Sequence, residues 1–388
     1  MSTVVELASV SFQNKGDELM AIAAKEFVNE VRPDWDVAVP IWLRGAVPED
    51  LKTHYQLGFS WVLHAQSAKE GRLADAIGPI ASLLPARLLP PRLVRECDVR
   101  AVLEITGFSY GDDWGRRRPK RMRKWFKAQR ERRKKIVLLP KTFGPFKDSQ
   151  IGTDVRRIVE LADLVFARDE ISFEHLRSIG AAHSHVKVAP DYTHRVTPRL
   201  TETALRLAGR ACFVPNKRMV DKTDRAVSET YVFSFARAIR EAKVKGTEPF
   251  LLIHQKRSDL KLAEEIRRVC GFDVEIVDVE DSREIKGVVS QAAFAVSSRL
   301  HGAINALGQG VPCVVVGWSH KYPGIAKDFD ATELLVRDAS KPDELIDRVG
   351  SLCDAGVRAV WGARLRAALP AIQARTAAMW SEIEGTLG

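Results

Sequence analysis

The sequence is poor in cysteine and contains no long uninterrupted apolar run. Its 388 residues include five cysteines, which are far apart and form no CxxC pair (Cys97, Cys212, Cys270, Cys313 and Cys353). This usage argues against a zinc site or a disulfide framework and predicts a reducing compartment. The most apolar long stretch, residues 77–94, is interrupted by four prolines and two arginines, so it does not predict a membrane span.

Export signals and nucleotide fingerprints are also missing. The N-terminus has no basic segment followed by an apolar one, so no secretory signal peptide is predicted and we expect a cytoplasmic protein. Neither a P-loop nor a GxGxxG pattern occurs, which excludes two common phosphate-binding fingerprints. Because no cluster of residues has the spacing of a metal site, we expect chemistry that needs no metal and no cofactor.

Positive charge is concentrated in one segment, the basic run, which begins at Arg116 and ends at Lys135. It holds 13 lysines and arginines and one glutamate, a charge of +12, whereas the whole chain carries +10, so the remainder sums to −2. Such a run is often a solvated helix face, and it could also attract an anionic membrane leaflet or nucleic acid. Because only Trp125 and Phe126 interleave it and no nucleic-acid module surrounds it, the membrane surface is favoured and nucleic acid is disfavoured.

Apolar segments typical of buried strands alternate with helical patterns through both halves of the chain. The predicted strands are residues 4–10, 36–41, 61–65, 99–106, 136–139, 161–167, 186–189, 211–214, 249–254, 272–277, 292–296 and 311–316. The predicted helices are residues 17–31, 170–180, 224–242, 258–270, 281–291, 300–307 and 358–386, and the basic run is mostly helix-forming. Residues 80–94 could be a packed connection or an interfacial surface, and residues 317–324 are expected to be a polar segment after a strand. The alternation predicts two parallel α/β domains, residues 1–197 and 198–388, with ligands bound in a cleft between them.

The turn around Arg299 and His301 is the most informative stretch. It joins a predicted strand to a predicted helix, which Gly308 and Gly310 would close as C-cap residues. In an open parallel sheet such turns face the ligand crevice, and a helix N-terminus suits an anion. The Arg299 guanidinium could bind a carboxylate or phosphate through two parallel hydrogen bonds, and the His301 imidazole could transfer a proton. The alternative is a helix cap or a surface ion pair.

Other predicted strands also end in polar turns, and five segments together carry a family resemblance. They are Asn14-Lys15-Gly16-Asp17; Thr142-Phe143-Gly144-Pro145-Phe146; Ala167-Arg168-Asp169-Glu170-Ile171-Ser172; Pro190-Asp191; and Ser298-Arg299-Leu300-His301 with Gly310-Val311-Pro312 and His320-Lys321-Tyr322-Pro323-Gly324. In this order they resemble the polysaccharide pyruvyl transferase family. The segments around Thr142 and Trp318 depart from the family's usual pattern, which bears on acceptor preference, and the basic run has no counterpart in it.

The resemblance implies two Rossmann-like domains of the GT-B type, with the acceptor on the first and the donor on the second. It also implies phosphoenolpyruvate as donor (a co-substrate, not a cofactor) and a sugar of a polysaccharide or cell-wall glycan precursor as acceptor. The product would be a pyruvate ketal. Arg168, Arg299 and His301 would form the donor site, with Lys321 as a weaker addition. A lipid-linked acceptor at the cytoplasmic face of the membrane would fit the basic run.

The chemistry assigns further roles. His301 is the expected general acid toward the methylene carbon, and Asp17 or Asp191 the base for the sugar hydroxyl, although each aspartate could equally be a structural cap. Asn14, Lys15 and Gly16 are candidates for acceptor binding. Two alternatives stay open: a nucleotide-sugar glycosyltransferase on the same architecture, and a non-catalytic protein that binds glycans or membranes.

Overall fold

The computed structural model describes residues 3–40, 56–62, 92–317, 319 and 321–388. The chain divides into two compact units. Unit 1 comprises Met1–Phe12, Met20–Tyr192 and Thr376–Gly388, and unit 2 comprises Gln13–Leu19 and Thr193–Arg375. The main change of unit therefore falls close to residue 197, where the sequence analysis places a boundary. The predicted domains were continuous ranges, but two short segments lie in the opposite unit. Gln13–Leu19 belongs to unit 2, and Thr376–Gly388 belongs to unit 1.

Unit 1 contains a parallel sheet with nine strands in the described part of the chain. The strands are β1 (Thr3–Ala8), β2 (Trp35–Pro40), β3 (Ser60–Val62), β4 (Leu93–Val94), β5 (Val99–Glu104), β6 (Phe108–Tyr110), β7 (Lys135–Phe143), β8 (Leu164–Ala167) and β9 (Val186–Val188). Their order across the sheet is β4-β3-β2-β1-β5-β7-β8-β9, and β6 pairs with β7. In the register of the central strands, Val5 of β1 lies between Val37 of β2 and Ala101 of β5.

The helices that pack in unit 1 are amphipathic. They are α1 (Lys15–Val31, whose first turn belongs to unit 2), α2 (Arg117–Glu131), α3 (Ser149–Leu161) and α4 (Glu170–Ser178), with 3₁₀ turns at Glu96–Asp98 and Asp112–Trp114. Helix α3 corrects the predicted strand over residues 161–167, because Leu161 ends this helix and β8 begins only at Leu164. The side chain of Asp148 caps α3, and Ile151, Val155 and Ile158 are buried at helical spacing.

The last segment of the chain contributes aromatic packing to unit 1. The ring of Trp380 stacks on Phe27 with centroids 4.2 Å apart, and it meets Tyr192 edge-on at 5.2 Å. All three side chains are at most 5% exposed. Because aromatic burial contributes strongly to core energetics, this segment is an integral part of the unit 1 core.

Unit 2 is built on a second parallel sheet with six strands among the described residues. The strands are β10 (Ala211–Val214), β11 (Pro249–Leu252), β12 (Glu275–Val277), β13 (Phe294–Ser297), β14 (Cys313–Val316) and β15 (Leu335–Val336). Their order is β12-β11-β10-β13-β14-β15, so the chain starts in the middle, builds one edge and then crosses to the other. This doubly wound order has its topological switch point between β10 and β13.

The helices of unit 2 connect these strands. They are α5 (Glu202–Arg206), α6 (Arg218–Asp221), α7 (Arg225–Val244), α8 (Lys256–Cys270), α9 (Ser282–Gln291), α10 (Leu300–Leu307), α11 (Lys321–Asp328), α12 (Pro342–Leu352) and α13 (Ala355–Leu387, which continues into unit 1), with 3₁₀ turns at Thr193–Arg195 and Thr332–Leu334. The predicted fold class, two α/β domains with parallel sheets, is confirmed.

Several local predictions need correction. The segment after β14 that was expected to be polar leads into α11, and Tyr322, Ile325 and Ala326 are buried on one face of this helix. Of the two glycines after α10, only Gly310 has the left-handed conformation, with φ of 74°, whereas Gly308 is helical. Residues 63–65 and 80–91, Trp318 and His320, all used in the sequence analysis, lie outside the described residues. Within the described ranges, no helix is both long enough and apolar enough to cross a membrane.

Candidate active site

The turn between β13 and α10 lies at the switch point of the unit 2 sheet, and its backbone is fixed by its own side chains. The hydroxyl of Ser297 donates to the carbonyl oxygen of Arg299 at 2.7 Å and accepts from the N–H of Arg299 at 3.2 Å. A Cβ atom at Gly302 would lie 2.4 Å from this hydroxyl, so only glycine fits there. The turn is therefore tight, and its strand-to-helix geometry matches the prediction.

Side chains from three other elements hold the neighbouring residue, Ser298. Its carbonyl oxygen accepts from Nδ2 of Asn216 at 2.8 Å and from the hydroxyl of Tyr322 at 2.7 Å. Its own hydroxyl accepts from the hydroxyl of Tyr231 at 2.9 Å. All four side chains are at most 2% exposed. Because buried and fully paired polar networks are rigid, the loop after β10, helix α7 and helix α11 together determine where Arg299 and His301 lie.

The guanidinium of Arg299 forms a buried, two-pronged ion pair with Asp259 of α8. Nε donates to Oδ2 at 2.9 Å, Nη2 donates to Oδ1 at 2.5 Å, and Nη2 also reaches the hydroxyl of Ser258 at 3.2 Å. The two-pronged contact that the sequence suggested for a ligand is therefore made with Asp259. Nη1 forms no hydrogen bond with any described residue, so this nitrogen is the one left for an anion. Nothing in the sequence near residue 259 marked this partner.

The imidazole of His301 packs directly on the backbone at Gly16. A Cβ atom at Gly16 would lie 2.0 Å from Nδ1 and 2.5 Å from Cγ of His301, so a side chain at this position would displace the ring. Both residues belong to unit 2. The structure thus joins two segments of the resemblance, and it places the acceptor candidates Asn14, Lys15 and Gly16 in the unit that was expected to bind the donor.

The start of α1 explains the roles of the polar residues around Gly16. Asn14 precedes the helix, and its Oδ1 accepts from the N–H of Gly16 at 3.1 Å. Asn14 is therefore the N-cap, and the N-cap role expected of Asp17 is wrong, because Asp17 lies half-buried within the first helical turn. The ammonium of Lys15 binds Oε2 of Glu18 at 2.7 Å.

His254 is a site residue that the sequence analysis missed. It follows β11, is 1% exposed, and neither ring nitrogen has a hydrogen-bond partner in the described part of the chain. Its carbonyl oxygen accepts from the N–H of Lys15 at 3.4 Å. Burial holds the pKa of His254 well below its ordinary value, and the positive charges of Arg299, His301 and Lys15 lower it further. Three basic side chains therefore lie near enough to His254 to disfavour its protonation.

Asn305 and Lys321 extend the polar surroundings of the turn. Asn305 lies one helical turn after His301 on α10, is 1% exposed, and its amide has no hydrogen-bond partner among the described residues. Lys321 begins α11 and is 9% exposed, with Nζ 5.6 Å from the ring centre of Tyr322. Because a buried amide without a partner is costly, Asn305 is a candidate for contact with a ligand or an ordered water.

In unit 1, the structure brings Arg168 and Asp191 together at the carboxyl ends of the strands. Nη2 of Arg168 lies 3.2 Å from Oδ2 of Asp191, and both side chains are at most 2% exposed. A Cβ atom at Gly107 would lie 2.6 Å from this Nη2, so the loop after β5 closes against the guanidinium. The predicted base Asp191 is thus the ion-pair partner of a predicted donor residue.

A second buried ion pair lies beside Arg168 and was not predicted. The ammonium of Lys141 on β7 contacts the carboxylate of Glu104 on β5, and both side chains are fully buried. The hydroxyl of Thr106 also donates to Glu104, and Nζ of Lys141 lies 5.4 Å from the ring centre of Tyr110. Lys141 directly precedes the Thr142 segment of the resemblance.

The described site residues of units 1 and 2 do not form a set of metal ligands. Within residues 3–40, 56–62, 92–317, 319 and 321–388, no group of three or more histidine, cysteine and carboxylate side chains could hold a metal ion. The expectation that the chemistry needs no metal stays a prediction.

Solved structures share the fold at low sequence identity. A putative UDP-N-acetylglucosamine 2-epimerase from Listeria monocytogenes aligns with a TM-score of 0.58 and 13% identity, over 93% of this chain and 91% of its own. The MnaA protein of S. aureus, solved with UDP, aligns with a TM-score of 0.57 and 11% identity, over 91% and 88%. The Anabaena protein Alr3699/HepE, solved with UDP and glucose, aligns with a TM-score of 0.55 and 12% identity, over 97% and 100%. These similarities confirm the predicted GT-B-like fold.

Sequence comparison identifies the family. No curated protein matches the chain. The profile of the family described as polysaccharide pyruvyl transferase matches residues 14–320, which include both groups of site residues except Lys321 and Tyr322. Because this match covers most of the 388 residues, the chain belongs to the polysaccharide pyruvyl transferase family and is a transferase.

Proposed function

We propose that this protein transfers the pyruvyl group of phosphoenolpyruvate to a saccharide and forms a cyclic ketal. The observation that carries the proposal is the group of basic side chains at the switch point of unit 2. Arg299 and His301 follow β13, His254 follows β11, and the segment of Lys15 and Gly16 packs against both histidines. Asp259 pairs with Arg299 and Glu18 pairs with Lys15, so both cations are held in place, and Nη1 of Arg299 forms no hydrogen bond with a described residue. A small dianion that carries both a carboxylate and a phosphate suits such a site.

The reaction requires one proton transfer to carbon and two attacks by hydroxyl groups. A proton adds to the methylene carbon of the donor, and the first sugar hydroxyl forms a bond to the carbon that bears the phosphate. The bond between that carbon and the phosphate oxygen then breaks, and inorganic phosphate leaves. The second hydroxyl attacks the same carbon and closes the ketal, and both hydroxyl protons are released. Fixed charges around the reacting carbon lower the barrier because they need no reorganisation.

The geometry suggests how the roles are divided. His301, oriented by Gly16 and α10, is the proposed general acid, and Nη1 of Arg299 and the ammonium of Lys321 are proposed to bind the donor. Asp17 is the preferred base, because it is half-buried next to Gly16, whereas Asp191 is fully buried against Arg168. We assign Asp191 the role of positioning Arg168.

The acceptor assignment changes with the structure. The amide of Asn14 is used as a helix cap, and the ammonium of Lys15 is held by Glu18. Both side chains therefore have structural roles that compete with binding a sugar. Gly16 keeps a functional role through its close approach to His301. We propose as acceptor a sugar of a polysaccharide or cell-wall glycan precursor, with its hydroxyl pair approaching from the side of Asp17.

A thermal-shift titration with phosphoenolpyruvate tests the donor. The wild-type protein should be stabilised, by about 2.7 kcal/mol when the donor concentration is about 100 times its dissociation constant. The variant His301→Gln should keep the unfolding temperature of the free protein, show a smaller shift, and release no phosphate when saccharides are added. His183→Gln is the matched control, since His183 is exposed. Full phosphate release by His301→Gln would contradict the proposed role.

A nucleotide-sugar reaction is the second candidate. Its support is the fold shared with proteins whose structures were solved with UDP, with UDP and glucose, or with UDP-N-acetylglucosamine. In the same titration, stabilisation by UDP but not by phosphoenolpyruvate would favour this candidate and overturn the first.

A further inference from the structure

Helix α2 presents a row of cations that neither group of site residues uses. Arg117, Lys120, Arg121 and Lys124 follow one another at intervals of three, one and three residues, so they lie along one face of the helix. All four are exposed. We call this row the cationic stripe. It spans about 10 Å along the helix axis, given a rise of about 1.5 Å per residue.

Seven of the nine other cations of the basic run lie within ion-pair distance of a described carboxylate, and the exceptions are Arg118 and Arg133. Arg116, Arg123 and Arg130, seven residues apart, bind Asp148, Asp154 and Asp163 at 2.6, 2.7 and 2.9 Å. Arg132 and Lys134 approach Glu96, Lys135 approaches Asp163, and Lys127 approaches Glu131 at longer distances. By contrast, the four side chains of the cationic stripe form no ion pair with a described carboxylate. Four cations without a carboxylate partner among the described residues therefore lie along one face of α2.

The opposite face of α2 anchors the helix in unit 1. Met122, Trp125 and Phe126 are 7%, 9% and 0% exposed, and the helix packs against α3. The two aromatic residues that interleave the basic run are thus part of the core. Without exposed aromatic rings, α2 can neither stack on bases nor insert into a bilayer, so the cationic stripe can act only through charge.

We propose that the cationic stripe docks this protein on an anionic lipid bilayer. Charge complementarity identifies the partner, since a straight row of unpaired cations on a rigid helix fits a plane of negatively charged headgroups. Nucleic acid is disfavoured because both aromatic residues of α2, Trp125 and Phe126, are buried. The rest of the chain has a slightly negative charge, so attraction would orient the molecule with α2 toward the lipid. This inference goes beyond the proposed function and does not depend on the donor.

Vesicle sedimentation tests the docking. Wild-type protein should bind vesicles made of phosphatidylcholine and phosphatidylglycerol, in that order at a molar ratio of about 2:1. It should not bind vesicles of phosphatidylcholine alone. Binding should decrease steeply with salt, because exposed charges are screened over about 8 Å at physiological ionic strength.

Two charge-matched variants locate the surface. In the stripe variant, Arg117, Lys120, Arg121 and Lys124 are all replaced by Gln, which preserves helix propensity. In the control variant, four exposed lysines of unit 2 are replaced by Gln (Lys222, Lys261, Lys327 and Lys341). Each cation near an anionic surface contributes roughly fivefold in affinity, so the stripe variant should lose affinity by more than about 100-fold. The control variant should bind as the wild type does.

Three results would overturn the proposal: no binding of the wild type to anionic vesicles, equal losses in the two variants, or full competition by a short DNA duplex at equal charge concentration. Unfolding temperatures measured on the same samples verify that the stripe variant is folded. Since α2 contains none of the proposed catalytic residues, the stripe variant should still bind phosphoenolpyruvate. Failure of vesicle binding is therefore distinguishable from failure of the proposed function.

Discussion

Asp259 holds the guanidinium of Arg299 through two hydrogen bonds, and both side chains are buried in unit 2. Arg299 is therefore positioned before any ligand arrives, and only Nη1 faces away from the ion pair. The pair also lowers the net positive charge of the site and thereby reduces the repulsion among its cations, so that they can be held close together before an anion binds.

Replacing Asp259 by Asn should destabilise the protein, because it leaves the charge of Arg299 buried and uncompensated. Breaking one side of such a pair costs about 3–5 kcal/mol, measurable by urea unfolding. Inorganic phosphate should stabilise Asp259→Asn more than it stabilises the wild type, since the ion replaces the missing charge. Asp273→Asn is the matched control, because that side chain is 93% exposed. The explanation is wrong if both variants are equally stable.

Replacing Gly16 by Ala should impair catalysis through His301. The new Cβ would lie 2.0 Å from Nδ1, so the imidazole must move, and a displacement of about 1 Å can reduce turnover about 100-fold. Overpacking should also cost about 1–3 kcal/mol of stability. Gly385→Ala is the control, because no heavy atom lies within 4 Å of the position of its Cβ.

A double variant separates this clash from an effect on the backbone. Once His301→Ala has removed the ring, adding Gly16→Ala should cost little further stability. If the two stability losses simply add, the two residues do not interact and the proposed contact is wrong.

Acidification should weaken unit 2 through His254. The pKa of this buried imidazole is well below its ordinary value of 6.5, so below pH 6.5 the unfolded chain takes up a proton that the folded protein does not. The free energy of unfolding should therefore fall by up to about 2 kcal/mol between pH 7 and pH 5 from this group. His254→Gln should lack this part of the decrease, whereas His183→Gln should retain it. Equal pH dependence in wild type and His254→Gln would contradict the assignment.

In unit 1, Glu104 and Lys141 should show strong coupling. Glu104→Gln removes the charge that compensates a fully buried ammonium, and we expect a loss of about 3–5 kcal/mol in unfolding free energy. The double variant Glu104→Gln, Lys141→Met should be more stable than Glu104→Gln alone, because no unpaired charge remains. Glu131→Gln, with its side chain 65% exposed, should have little effect. A double variant less stable than either single variant would contradict this explanation.

The sequence was sufficient to predict the two parallel sheets and the turn around Arg299, because short apolar runs alternating with helical patterns leave few other arrangements. Helix α12 was missed, although Pro342 at its start and Leu345, Val349 and Leu352 at helical spacing are visible signals. The start predicted for the strand over residues 161–167 was three residues too early, because an apolar helix end and an apolar strand start look alike over a few residues.

Within the site, sequence patterns identified the residues that lie at one turn but not the partners that tertiary structure brings to it. Asp259 and His254 precede Arg299 by about 40 residues, and they reach it because β11 and α8 follow β10 at the centre of the sheet. Such proximity depends on strand order, which local periodicity does not encode. Asn14 is a helix cap and Trp125 is a core residue. The sequence analysis did not assign either role, because each depends on where the helix begins or which face it buries.

Neither unit is one continuous stretch of chain, and this restricts how such proteins can be recombined. A single crossover between Tyr192 and Thr193 would separate unit 2 from Gly16, which contacts His301, and unit 1 from Trp380, which stacks on Phe27. Exchange of a complete unit needs junctions after Phe12, Leu19, Tyr192 and Arg375 together. The two sheets are therefore expected to be inherited as a pair, and a new donor or acceptor preference to arise by substitution within the chain rather than by shuffling halves.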